Sequence, residues 1–141
     1  RMNGYNLALR QYGCKQDPAL IKYGDYTVES GYNAIVELER SGRRYNAVLA
    51  GNDLMALGAI NAFREFSIKI PEDVELLGFD NIMFSRYFDP PLSTVQQPTV
   101  EMGRRATDMP LQMIDGDPVK ENIVIDAKIV TRKSTKERGI L

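Results

Sequence analysis

Three polar side chains stand where this sequence is best suited to gripping a small molecule. Asn52 and Asp53 follow the apolar run Ala47-Val48-Leu49-Ala50, and Asp80 closes a second run made by Val74, Leu76, Leu77 and Phe79. If both runs are strands, all three residues lie at strand carboxyl ends, where open α/β sheets bind their ligands. An amide such as Asn52 donates and accepts, which suits hydroxyls and ring nitrogens, yet Asn52 or Asp53 can equally cap a helix with no ligand involved. Of the two, Asp53 is the expected cap. A carboxylate closing a buried strand is costly to desolvate without a partner. A pair of ligand hydroxyls can supply that partner for Asp80; the alternative is an Asx turn through Asp80-Asn81. Asp25, Asp53 and Asp80 are in principle candidates for an acid pair, but the sequence supplies no nucleophile or metal set to work with them. It contains no histidine, which removes the commonest general base, the common zinc sites and the usual hydrolase triads. Gly51-Asn52-Asp53 has neither the glycines nor the lysine of a phosphate loop. The chemistry on offer is binding, with no catalysis, metal or cofactor expected.

The pattern between these residues supplies a scaffold for them. Gly51-Asn52-Asp53 breaks the first run, and Met55, Ala59, Ala62 and Phe66 then recur at helical spacing. Pro71 blocks continuation before the second run. Two apolar runs bridged by a helix form a βαβ unit, with parallel strands and a right-handed crossover. Upstream, Arg1 to Tyr12 reads as a helix ended by Gly13, Ala19-Leu20-Ile21 as a short strand, and Ser30 to Arg40 as a helix closed by Gly42. Downstream, Ser93-Thr94-Val95 reads as a strand. Thr99 is the expected cap of a helix whose Met102, Ala106, Met109 and Met113 serve core packing rather than a metal box. Pro110 within it predicts a kink. Ile123-Val124-Ile125 and Lys128-Ile129-Val130 read as two further strands, and the tail from Ser134 as charged and mobile.

The phrases GNDLMALGAI, IPEDVELLGFDN and PPLSTVQQPTVEMGRRA, in that order and at those intervals, resemble the effector-binding core of the LacI/GalR family of bacterial transcription regulators. The similarity extends from Arg1 to about Ser134. It implies an α/β fold: a parallel-sheet, Rossmann-like lobe of a type I periplasmic-binding-protein-like domain, present in part. Residues 1–95 would be the C-terminal lobe without its first strand, 96–127 a crossover helix and strand belonging to the N-terminal lobe, and 128–141 a return strand and tail. The resemblance also implies site roles. Arg1, in the Arg-x-x-Gly-aromatic phrase RMNGY, would reach into the ligand cleft; a frayed terminal arginine is the plainer reading. Tyr26, in Gly24-Asp25-Tyr26, would stack on the ligand, since an aromatic face can cover the apolar side of a sugar or nucleobase. Asn52 and Asp80 would bond its polar groups, and Arg1 could pair with Asp80 across the cleft. Leu57, Tyr87 and Phe88 would form a homodimer interface; a loop folded over its own core is the alternative for the last two. The parent regulator would reach operator DNA through a helix-turn-helix absent from this chain, in the cytoplasm, and respond to a small sugar or related metabolite.

Bulk properties fit without deciding. The chain of 141 residues is 43 % apolar and 26 % charged, with a net charge of −1, so it has no global field to attract nucleic acid. Cys14 is the single cysteine, which rules out an internal disulfide. No apolar run approaches the roughly 20 residues needed to cross a bilayer. A periplasmic sugar-binding protein of a transport system is the rival on the same fold, and the aromatic-rich loop Phe84 to Pro91 counts against it. The helix at 99–114 and the strand at 122–127 are expected to lose the sheet that they cover in the family, so the partial lobe is expected to bind ligand weakly or not at all by itself and to self-associate.

Overall fold

The computed structural model describes residues 1–116 and 122–137. Helix α1 (Met2–Gln11) is followed by a 3-10 turn at Pro18–Leu20, α2 (Val28–Arg40), β1 (Ala47–Leu49), α3 (Asp53–Glu65) and β2 (Glu75–Asp80). A second 3-10 segment, Met83–Tyr87, leads to β3 (Ser93–Gln96), α4 (Thr99–Asp115) and β4 (Lys128–Val130). The sheet order is β1-β2-β3-β4. β1 and β3 both run parallel to β2, Val48 opposite Leu76 and Gly78 opposite Thr94, while β4 returns antiparallel with Ile129 opposite Val95. The expected βαβ unit is therefore present, and three parallel strands point their carboxyl ends the same way.

The core lies where α2 and α3 cover this sheet. Phe63, Ala56, Ala62, Leu76 and Leu92 are fully buried there, with Ile35, Ile60 and Ala59 beside them. The two helices touch through glycines. A Cβ at Gly31 would stand 2.1 Å from the Met55 carbonyl oxygen, and one at Gly58 would stand 1.9 Å from the Val28 carbonyl oxygen. Only hydrogen at both positions lets the backbones approach this closely. Tyr32 adds a cross-helix bond, donating to the Glu65 carboxylate at 2.6 Å.

Several expectations need correction. The apolar face of α3 ends on Phe63, not Phe66: the helix stops at Glu65, which leaves Phe66 half-exposed. Ala19-Leu20-Ile21 is not a strand. Pro18 opens a 3-10 turn there, and Asp17 accepts the Ala19 N–H at 2.9 Å. Thr99 starts α4 without capping it; Pro98 precedes the helix and provides no side-chain bond. Helix α4 is continuous through Pro110 and, as expected of 99–114 in this chain, buries none of its residues. Ile123-Val124-Ile125 forms no strand among the described residues, because no neighbouring strand offers it a ladder. The tail is anchored at its start. Ser134 is fully buried, donating to the Leu76 carbonyl at 2.6 Å and accepting the Ser93 N–H at 2.7 Å. The backbone N–H of Lys136 donates to Glu75. The rest of the tail, from residue 138, lies outside the described residues.

Candidate ligand-binding site

Arg1 organises the carboxyl end of the sheet. It donates to the carbonyl of Gly51, at the end of β1, and its guanidinium lies 3.5 Å from Asp80 Oδ1, at the end of β2. The plane also rests over the Phe79 ring at 4.0 Å and sits 5.8 Å from the Tyr26 ring centroid. An arginine bound to a carboxylate and a carbonyl and flanked by two aromatic faces is a fixed group. The Arg1 side chain keeps 39 % of its surface open to solvent beside these contacts. Gln97, just past β3, donates to the same Asp80 Oδ1 at 2.6 Å. Among the described residues Asp80 Oδ2 takes none of these bonds, and the Asp80 side chain is about a third exposed. The corner thus presents a free carboxylate oxygen beside a held guanidinium.

Tyr26 reaches the same corner from the loop before α2. Its backbone is left-handed, φ +68°, and the residue is 58 % exposed. The loop is fastened on both sides of it. Thr27 donates its hydroxyl to Asp25 Oδ1 at 2.6 Å and its N–H at 3.2 Å, and caps α2 by accepting the Ser30 N–H at 3.1 Å. The hydroxyls of Thr27 and Ser30 hold the Asp25 carboxyl below the usual range, so Asp25 is a loop-building carboxylate. The fourth expected residue, Asn52, faces inward. Its Oδ1 caps α3 by accepting the Met55 N–H at 2.8 Å, and its Nδ2 donates to the Tyr26 carbonyl at 3.0 Å. Asn52, not Asp53, is therefore the cap, and it is only 9 % exposed.

Asp53 does different work beneath. Fully buried, it accepts the Thr94 hydroxyl at 2.6 Å and the Ile82 N–H at 2.9 Å. Burial pushes its carboxyl above the usual range, against the lowering effect of those bonds. It joins α3, β3 and the turn after β2 under Asp80. Asp25 and Asp53 thus brace the chain's own loops and turn, while Asp80 meets Arg1 and Gln97. Among the described residues no cluster of His, Cys, Asp and Glu could hold a metal.

The residues expected at the interface separate. Tyr87 is exposed, as are Met83, Phe84 and Leu54, while Leu57 is half-buried. Phe88 is also half-buried and packs against the chain's own core. The segment lies along α3, tied at one end by Ile82 to Asp53 and at the other by Arg64 to Asp89. Phe79 and Gln97 are the site residues missed in the sequence. Strand alternation puts Phe79 opposite Asp80, but the φ of +108° at Asp80 breaks that alternation and lets both meet Arg1.

Residues 1–135 match the model of a periplasmic binding protein-like domain. The chain belongs to that family. The periplasmic binding protein-like domain here is 38 % identical over 137 residues to the HTH-type transcriptional repressor CytR of Escherichia coli (strain K12), covering 96 % of this chain and 40 % of the repressor. It is 33 % identical over 138 residues to the HTH-type transcriptional repressor PurR of Escherichia coli O1:K1 / APEC, covering 97 % of this chain and 40 % of that protein. A crystal structure of the Lac repressor dimer bound to operator and the anti-inducer ONPF superposes with a TM-score of 0.89 at 30 % identity, over 96 % of this chain and 46 % of that one. The chain thus spans 40–46 % of the length of these relatives. The LacI/GalR resemblance and the partial periplasmic-binding-protein-like fold are both established by these matches.

Proposed function

We propose that this chain is the effector-sensing part of a LacI/GalR-type transcriptional regulator, binding a small sugar or sugar-like metabolite in a cleft between lobes. The observation that carries this reading is the Arg1–Asp80 corner. A guanidinium and a carboxylate lie side by side at the carboxyl ends of parallel strands, with the exposed Tyr26 ring nearby. Arg1 and Asp80 bond the ligand's polar edge, Tyr26 covers its apolar face, and Asn52 supports that grip by holding the Tyr26 loop. Vicinal hydroxyls suit a carboxylate with one oxygen committed and the other open.

In the parent protein the domain pairs with a second copy through Leu57 and Tyr87, with Phe88 fixing the loop beneath. The homodimer binds operator DNA through a helix-turn-helix outside this chain, in the cytoplasm. No described helix is long and apolar enough to cross a membrane. The matched relatives named above are transcriptional repressors rather than enzymes or transport proteins, which favours regulation over the transport reading. Ligand binding alters operator affinity by favouring one arrangement of the lobes. The test is calorimetric titration of the parent protein with a panel of pentoses, hexoses, disaccharides and nucleosides, alongside Asp80→Ala. Saturable binding of one class that the variant loses supports the reading; equal binding by the variant contradicts it.

A further inference from the structure

The turn that ends β2 has a backbone most residues resist. Asp80 has φ +108° and Asn81 has φ +53°, both in the left-handed half of conformational space where side chains are disfavoured. Neighbours hold the turn in place. Thr94 accepts the Asn81 N–H at 3.3 Å, Asp53 accepts the Ile82 N–H, and Gln97 bonds the Asp80 carboxylate. The remaining brace is Arg132, two residues past β4. Its Nη2 donates to Asn81 Oδ1 at 2.7 Å, and its Nη1 donates to the Leu92 carbonyl at 2.6 Å and to Ser85 Oγ at 3.2 Å. Ser85 is fully buried and in turn donates to the Ile82 carbonyl at 2.8 Å. All three acceptors of Arg132 are neutral. The planar fork of donors, more than the charge, is what this position uses.

We infer that Arg132 is a positioning residue: acting through Asn81, it holds the strained turn that presents the Asp80 carboxylate beside Arg1. The inference rests on Asp80 being the ligand-gripping carboxylate, but its test needs no ligand. Amide hydrogen exchange, read by NMR on the 141-residue chain, reports the turn directly. In Arg132→Met the amides at positions 81 and 82 exchange about tenfold faster, the factor that release of one strained residue produces. The amides of Leu76 and Ala59, in the core, do not change.

Adding Asn81→Gly restores slow exchange at position 82, because glycine adopts a positive φ without strain. Mere loss of arginine packing would not be repaired that way. Arg132→Lys keeps the charge and the stem but loses the fork, so it speeds exchange at the same two amides; it serves as the test if the methionine variant does not fold. Unchanged exchange, an increase spread evenly over Leu76 and Ala59, or no restoration by Asn81→Gly overturns the inference. If exchange behaves as stated while Asp80→Ala leaves ligand binding intact, the positioning stands and the assignment of Asp80 to the ligand falls.

Discussion

Gly58→Ala tests whether close helix contact holds the site together. A Cβ there would meet the Val28 carbonyl oxygen at 1.9 Å and the Tyr32 nitrogen at 2.6 Å. Both are backbone atoms and cannot swing aside, so ordinary contact requires α2 and α3 to part by roughly 1.5 Å. Overpacking of this kind costs about 1–3 kcal/mol, and the rigid neighbours put this case at the upper end. Against it stands the helix preference for alanine over glycine, about 1 kcal/mol. The net loss is about 2 kcal/mol, which lowers the melting temperature by roughly 4–8 °C for a chain near this size. The strain also falls on the site, since Val28 is in the first turn of α2, two residues after Tyr26. Thermal unfolding followed by far-ultraviolet circular dichroism measures the shift. Gly103→Ala is the control, because a Cβ in that helix meets nothing within 4 Å; it should hold or raise the melting temperature. A Gly58→Ala variant melting at or above the parent temperature would refute the packing argument.

Three further predictions concern charge, association and the turn. Burial raises the Asp53 pKa, so its ionisation opposes folding: the penalty is absent below its ordinary value of 3.8 and accrues as pH rises through the raised value. Asp53→Asn keeps an acceptor for Ile82 and should gain stability relative to the parent as pH rises from about 3.5 to 7, measured by urea unfolding at each pH; a variant-minus-parent difference that stays flat would count against it. Leu57→Asp should abolish dimerisation of the parent regulator in sedimentation velocity while leaving the lobe folded, and unchanged sedimentation would remove Leu57 from the interface. Arg132→Met should loosen positions 81 and 82 alone, as read by hydrogen exchange.

Local signals made the centre of the fold legible in the sequence. The runs at Ala47–Ala50 and Val74–Phe79, broken by Gly51-Asn52 and bridged by a helical period, yield β1, α3 and β2 nearly to the residue. Elements that depend on distant partners were not legible. Three apolar residues at Ala19–Ile21 fit a strand or a turn equally, and Asp17 with Pro18 decides for the turn. Ile123–Ile125 has strand composition, but a strand needs a neighbour. Ser134 looked like part of a charged tail, because hydropathy does not register a small hydroxyl bonded to buried backbone groups. Of the site, Arg1 and Asp80 meet as expected and Tyr26 approaches them. Asn52 turns its amide to the chain's own backbone. Phe79 and Gln97 escaped notice because a left-handed residue at Asp80 leaves no mark in sequence periodicity.

If the Arg1–Asp80 corner senses a small molecule on behalf of a DNA-binding head, operator binding must respond to that molecule. The most direct test is operator binding by the parent protein, measured by fluorescence anisotropy on its own upstream DNA while a panel of sugars and nucleosides is titrated, with Asp80→Ala alongside. The account predicts that one ligand class shifts operator affinity by about 5–150-fold, the coupling typical of such switches, and that Asp80→Ala binds operator but no longer responds. A response undiminished in Asp80→Ala, or a parent protein without DNA binding at all, would contradict it.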